Sequence, residues 1–213
     1  MATPKTKNAS NETRWAASIA VIGLGGSSLA LPDDMVPGPR WLVPIVIVAL
    51  LFPAIVAHHR GKHRADMVLG YAISVVVTLA LAASLAALLR LVGSRTAHEL
   101  LKSASVLWIT NILVFALWYW RLDAGGPHSR ESREGHTAGA FFFPQMMDSA
   151  PHVDPHWSPR FVDYLFLSFC TSTAFSPTDT PVLSRWAKLL TMVQALISLL
   201  CVAVLASKAI GSL

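Results

Sequence analysis

The chain alternates long apolar runs with short polar connections. Runs made mainly of Ala, Val, Ile, Leu and Trp occupy residues 15–31, 41–57, 67–91, 105–120 and 183–210. A helix that crosses a bilayer needs about 17–25 predominantly apolar residues. The runs approach or exceed that length, and the prolines and glycine of residues 32–39 mark a turn between the first two. The pattern therefore predicts about five transmembrane helices.

A short apolar segment, residues 161–174, follows a long polar stretch at 121–160 that is rich in Gly, Pro, His and charge. Fourteen helical residues rise about 21 Å, which is less than a hydrocarbon core of about 30 Å. We therefore expect a helix that descends partway, with Asp163 capping its first turn, and returns through residues 175–181. Irregular backbone at that depth requires protein or water around it, which predicts a re-entrant helix and loop beside a water-filled cavity.

The composition agrees with a multi-pass integral membrane protein of the all-α class, with the cell membrane as its expected location. Of the 213 residues, 54% are hydrophobic and only 14% are charged. The net charge is +5, but the basic residues are scattered among loops beside apolar runs, so we expect contact with the lipid bilayer and not with nucleic acid. Cys170 and Cys201 fall within apolar segments, where packing is favoured over a disulfide.

The returning turn concentrates oxygen-bearing side chains. Hydroxyl and carbonyl oxygens suit hard cations, and a carboxylate repeated around a symmetry axis draws cations to a pore mouth. The same residues also suit an ordinary turn and helix entry. The candidate constriction is Thr171, Ser172, Thr173, Ala174, Phe175, Ser176, Pro177, Thr178 and Asp179.

The last helix, predicted over 182–210, carries a polar stripe at spacings of three and four, which keep to one helix face. Polar residues in a membrane helix either face a cavity or bond to neighbouring helices, so the stripe is a candidate inner pore lining with interhelical packing as the alternative. Its members are Thr191, Gln194, Ser198, Cys201, Leu205 and Lys208.

This order of short helix, polar turn and long helix resembles the pore helix, selectivity loop and inner helix of tetrameric potassium-type channels. Thr171, Thr173 and Asp179 match the family's filter motif, but its Gly-Tyr-Gly falls on residues 176–178, Ser-Pro-Thr. Pro177 fixes its own φ, so a stacked-carbonyl potassium filter does not carry over. The same third of the chain is also similar to an uncharacterised family of bacterial integral membrane proteins, through the aromatic segment 161–169 and the turn 176–179.

The channel resemblance implies a homotetramer in which residues 104–213 form the pore module, after a flexible tail at 1–14 and accessory helices at 15–103. It implies passive permeation of a monovalent cation with no bound cofactor. The alternative is a non-conducting membrane scaffold or partner-binding subunit that keeps the fold. No nucleophile elbow, phosphate-binding glycine loop or His-Glu-x-x-His helix is present in the sequence, so an enzyme is not predicted.

Histidine offers one further hypothesis. His152, Asp154 and His156 place two nitrogen ligands and one oxygen ligand at short spacing, as a zinc or copper site would. The alternative is a solvated loop.

The sidedness of the chain is contested by two arguments. The channel resemblance places the long loop and Asp179 outside the cell, which would also place Arg60, Lys62 and Arg64 outside. The positive-inside rule favours the opposite orientation for this basic connection. A sixth complete crossing at residues 161–175 would reconcile the charges, so five and six crossings both stay open.

Overall fold

A computed structural model shows an all-helical chain and describes residues 15–131, 139–147, 157–177 and 179–210, with side chains to 130 in the first range and to 207 in the last. Seven α-helices follow one another in this part of the chain, joined by turns and short 3-10 segments. They are α1 (Trp15–Ala30), α2 (Leu42–His59), α3 (His63–Leu91), α4 (Ala97–Leu122), α5 (Pro127–Glu131), α6 (Phe161–Thr173) and α7 (Arg185–Ile210).

Local signals in the sequence set several helix ends. At α4, the Thr96 hydroxyl accepts from the Glu99 amide while the Glu99 carboxylate accepts from the Thr96 amide, which satisfies donors that a helix N-terminus leaves open. At α6, the Arg160 amide donates to Asp163 at 2.7 Å, so the predicted cap is confirmed. Gly61 takes a φ of +67° in the tight connection between α2 and α3, which glycine adopts at low cost.

Helix α4 is the centre of the fold. It contacts α1, α3, α6 and α7, and its interior side chains are almost completely buried from Leu100 to Trp120. Helix α2 packs on α1 and α3 at one side of this group. Because α4 joins the first helices to the last, the boundary predicted at residue 104 falls inside a helix that belongs to both parts.

The outer surface of the bundle is apolar. Large side chains on it include Phe52, Leu79 and Leu189, which are 70%, 65% and 63% exposed. An apolar surface of this extent is compatible with contact with lipid. Four helices, α2, α3, α4 and α7, are long and apolar enough to cross a membrane, and α1 is a shorter apolar helix of 16 residues. The expectation of a helical protein compatible with membrane embedding is therefore confirmed, with one of the five predicted spans shorter than the rest.

The connections gather at two ends of the bundle. At one end, the rings of His63 in α3 and His128 in α5 stack with centroids 3.6 Å apart, so the α2–α3 connection lies beside the chain that follows α4. We call this the basic end, defined by residues 58–64 and 121–131. At the other end Arg95, just before α4, pairs with Asp34 in the α1–α2 connection. We call this the cavity end, defined by residues 29–40 and 92–103.

Candidate functional site

The chain that follows α4 is fixed to the bundle by a buried aspartate. The two carboxylate oxygens of Asp123 accept hydrogen bonds from the Tyr164 hydroxyl at 2.6 Å and from the Ala140 amide at 2.5 Å. Arg130 is also buried; it donates to the carbonyls of Trp120 and Asp123 at 2.8 Å, and its guanidinium lies 4.9 Å from the centre of the Tyr164 ring. Buried charges are stable only with such partners. Asp123 therefore joins α4, α6 and the loop at Ala140.

A short extended contact brings the chain after α6 back to the same end of α4. The Phe142 amide donates to the Pro181 carbonyl at 2.9 Å, and the Leu183 amide donates to the Ala140 carbonyl at 2.7 Å. Between these bonds lies Phe141, whose fully buried ring packs edge-on against aromatic rings of α4, α6 and α7. Those rings belong to Tyr119, Tyr164 and Trp186.

Helix α6 covers only half of α4. Its first residue, Phe161, has its ring 5.8 Å from Trp120 near the end of α4, and Phe169 lies 6.3 Å from Trp108 near the middle of α4. The 13 residues of α6 rise about 20 Å. We call residues 161–183 the α6 hairpin, because the chain enters at Phe161, turns at the level of the middle of α4 and returns to Phe141.

The candidate constriction residues divide into two groups. Thr171 and Ser172 are buried, whereas Thr173, Ala174, Phe175 and Ser176 form the exposed tip of the α6 hairpin. Phe175 has a φ of +54°, a left-handed conformation that is uncommon for a side chain of this size. Pro177 is half-buried, Asp179 is exposed, and Thr178 lies outside the described residues. The predicted constriction segment therefore consists of a buried part, Thr171 and Ser172, and an exposed tip, residues 173–176.

The polar stripe of α7 meets the base of the α6 hairpin. Gln194 is fully buried, and its amide nitrogen lies 2.7 Å from both the carbonyl and the hydroxyl of Ser168 and 2.8 Å from the Ser172 hydroxyl. The Tyr119 hydroxyl of α4 donates to the Gln194 side-chain oxygen. One glutamine therefore bonds to both neighbouring helices.

Three more hydrogen bonds extend this set of contacts between α4, α6 and α7. The Ser198 hydroxyl donates to the Ser172 carbonyl at 2.6 Å and accepts from the Trp108 indole at 2.9 Å. The Asn111 amide donates to the Gln194 backbone carbonyl at 3.1 Å. We call the set the polar seam; it consists of Trp108, Asn111, Tyr119, Ser168, Ser172, Gln194 and Ser198.

The geometry corrects the place that we assigned to the inner pore lining. Gln194, Ser198 and Cys201 are fully buried within one chain, and Thr191 is 7% exposed. They face α4 and α6 and not an open space, because the polar seam satisfies Gln194 and Ser198 there. Leu205 is half-buried in the same interior, and the side chain of Lys208 lies outside the described residues. This is the interhelical packing that stood as the alternative for the stripe.

Histidine and cysteine add little to the site. His152, Asp154 and His156 lie outside the described residues, and no group of three His, Cys, Asp or Glu residues that could hold a metal ion occurs among the residues that the structure describes. His58 lies 3.5 Å from Asp66 at the basic end, apart from the α6 hairpin tip. Cys170 and Cys201 are free, as expected from their apolar surroundings.

Asp123, Asn111 and Tyr119 were missed by sequence reasoning. Asn111 and Tyr119 stand inside the apolar run 105–120, and a polar residue in such a run is itself a sign of an interhelical bond. Asp123 follows that run directly in a segment that has the composition of an ordinary loop. Only the tertiary contact with Tyr164 distinguishes it.

Comparisons with other proteins give no assignment: no protein-family model matches this chain, and no curated protein or solved structure matches it. Over the residues that the structure describes, the class that it supports is an all-helical protein with four helices long and apolar enough to cross a membrane.

Proposed function

We propose that this is a channel-like protein of the cell membrane, in which copies of the chain meet at the exposed tip of the α6 hairpin and small cations pass along their junction. The observation that carries the proposal is the position of residues 173–176, exposed at the level of the middle of α4. Within a bilayer, irregular backbone at that depth is stable only when protein or water covers it. A second copy of the chain, together with an aqueous path, provides that cover.

The side chains near the tip agree with cation passage. The hydroxyl of Thr173 is exposed and bonds only to carbonyls of its own helix within the described contacts, at 2.9 Å and 3.2 Å, so its lone pairs stay open to a cation. Asp179 is exposed beside the tip, and a ring of such carboxylates would concentrate cations at the mouth. A four-fold arrangement is the closed symmetry that the channel resemblance implies. The inner lining is not assigned to the α7 stripe.

The orientation follows from charge. Counted with the adjoining helix ends, the basic end, where the α6 hairpin also begins and ends, carries more cationic side chains than the cavity end. They are Arg60, Lys62, Arg64, Arg121, Arg160 and Arg185 at the basic end and Arg40, Arg90, Arg95 and Lys102 at the cavity end. The positive-inside rule then orients the basic end toward the cytoplasm. The mouth of the proposed path therefore opens to the cytoplasm, opposite to the mouth of the potassium-type channels that the segment resembles.

This orientation can be measured by cysteine labelling. With Cys170 and Cys201 replaced by Ala, His59→Cys at the basic end, where the side chain is exposed, should be protected from an impermeant maleimide in intact cells, while Ser94→Cys at the cavity end should react. Permeabilised cells should label both, which controls for reactivity. Labelling of His59→Cys in intact cells with protection of Ser94→Cys would reverse the proposed orientation.

Permeation is tested with purified protein in liposomes. We expect a passive flux of monovalent cations that Asp179→Asn lowers several-fold, because the mouth loses its charge. Ser184→Asn, after the tip in the same connection, is the matched control and should leave the flux unchanged. Equal cation-to-anion preference in wild type and Asp179→Asn would remove Asp179 from the mouth, and the absence of flux would refute permeation.

The second candidate function is a non-conducting membrane scaffold or partner-binding subunit. The polar seam favours it, because the polar residues of α7 are used for internal packing. The number of copies separates the two candidates: native mass spectrometry from nanodiscs should give four copies for the channel, whereas a single silent copy would support the scaffold.

A further inference from the structure

A second candidate site lies at the cavity end, away from the α6 hairpin. An open cavity of about 570 Å³ lies between the end of α1, the α1–α2 connection and the first turns of α4. That volume is within the range of about 300–1,000 Å³ that small-molecule sites occupy. Its lining combines an apolar wall, Leu29, Ala30, Leu31 and Pro32, with a charged floor and rim, Asp33, Asp34, Arg40, Arg95, His98, Glu99, Lys102 and Ser103.

The charges of the lining are balanced in sign. Three carboxylates and three Arg or Lys side chains surround the cavity together with His98. Arg40 pairs with Asp33, and Arg95 pairs with Asp34 and, at 3.4 Å, with Glu99. The hydrogen bond from Arg95 to Asp34, together with the charge of Asp34, raises the pKa of the guanidinium above its ordinary value, so Arg95 stays charged. The three acidic side chains of the lining are therefore all paired with one of two arginines, Arg40 or Arg95.

Lys102 and Ser103 stand outside that network. Among the residues that the structure describes, Lys102 lines the cavity and has no ion-pair partner. Ser103 is fully buried, and its hydroxyl has no hydrogen-bond partner in the described part of the chain. A buried hydroxyl left without a partner is unfavourable, so a ligand that bonds to it is favoured. Both residues line the cavity, where a cation and an unsatisfied hydroxyl donor together provide what a phosphate group needs.

The apolar wall of the cavity indicates which kind of ligand fits it. Leu29, Ala30 and Leu31 close one side of the cavity at the end of an apolar helix. The ends of apolar helices lie at the level of lipid headgroups when such helices insert in a bilayer. A ligand that combines an apolar chain with a headgroup of both charge signs matches the wall and the balanced rim at the same time.

We propose that this cavity binds the zwitterionic headgroup of a phospholipid of the phosphoethanolamine type. The phosphate is held by Lys102 and Ser103, with His98 beside them. The ammonium group is held by the carboxylates of Asp33 and Asp34, each of which keeps one oxygen that the described contacts do not use. A primary ammonium donates hydrogen bonds to these carboxylates, whereas a quaternary ammonium has none to donate. The site is independent of permeation through the α6 hairpin.

Lipid binding to the purified full chain tests this inference by native mass spectrometry, with phosphatidylethanolamine, phosphatidylcholine and phosphatidylglycerol as probes. We expect phosphatidylethanolamine to bind most tightly, Lys102→Met to weaken it at least about tenfold and Ser103→Ala to weaken it about fivefold. Lys188→Met, an exposed lysine on α7 remote from the cavity, is the matched control and should bind as wild type. Both variants of the cavity must elute as the wild-type species on size exclusion.

The outcomes separate the sources of the headgroup. Binding of water-soluble glycerophosphoethanolamine with the same dependence on Lys102 supports the same headgroup chemistry with a soluble ligand. Preference for phosphatidylglycerol would overturn the inference in favour of a purely anionic site. Equal binding of the three lipids, or binding that neither cavity variant changes, would show that no headgroup site exists here.

Discussion

Replacing Gln194 by Met should lower the free energy of unfolding by about 2–4 kcal/mol, the larger of the two effects we expect on α7. Methionine has nearly the same length and shape but cannot bond to the α6 hairpin or to α4. The Tyr119 hydroxyl would lose its acceptor, and the Ser168 carbonyl would lose a donor, in a site with no access to solvent. Unfolding by SDS titration in mixed micelles measures the loss.

Thr191→Val provides the matched control on the same stripe. The Thr191 hydroxyl donates only to the Lys188 carbonyl of its own helix among the described contacts, so its loss should cost less than about 1 kcal/mol. Equal destabilisation by the two variants would mean that the polar seam contributes no more than an ordinary helical hydroxyl.

Replacing Asp123 by Ala should cost about 2–4 kcal/mol and release the loop at Ala140 from the bundle. The Tyr164 hydroxyl and the Ala140 amide would both lose their acceptor, and buried Arg130 would lose a nearby negative charge. Because Ala140 and Phe142 hold the returning end of the α6 hairpin, residues 181–183 should also loosen. Hydrogen exchange at the amides of residues 140–142 and 183 measures this release, alongside SDS titration.

Tyr164→Phe distinguishes the anchor from general packing. It keeps the aromatic contacts of α6 and removes the hydroxyl that donates to Asp123, so it should cost about 1 kcal/mol and leave the Ala140 amide protected. Fast exchange at residues 140–142 in Tyr164→Phe, or slow exchange in Asp123→Ala, would contradict the assignment of Asp123 as the anchor.

The sequence predicted the positions of the helices more accurately than the surroundings of the candidate site residues. The apolar runs and the cap at Asp163 are local signals, so α6 and α7 could be placed to within about three residues of their observed ends. The spacing of the α7 stripe also identified one helix face correctly. Spacing alone does not say what covers that face, because Gln194 and Ser198 bond equally well to water in a pore or to Ser168 and Ser172 across a helix boundary.

The role of Asp123 as an anchor could not be predicted from local sequence patterns, for a different reason. Its partners, Ala140 and Tyr164, are 17 and 41 residues away in the chain. A bond of that separation depends on how α4 and α6 pack, and neither the loop composition nor helical periodicity contains that information. The charged cavity could not be predicted from the sequence either, because residues of α1 and α4, which are distant in the chain, line it together.

The polar seam limits how the protein can move. Sliding α7 past α6 would break the bonds of Gln194 and Ser198 together, with no solvent at hand to replace them. Helices α4, α6 and α7 should therefore shift as a rigid unit. In the assembly that we propose, opening and closing would therefore have to occur between copies of the chain and not within the unit of α4, α6 and α7.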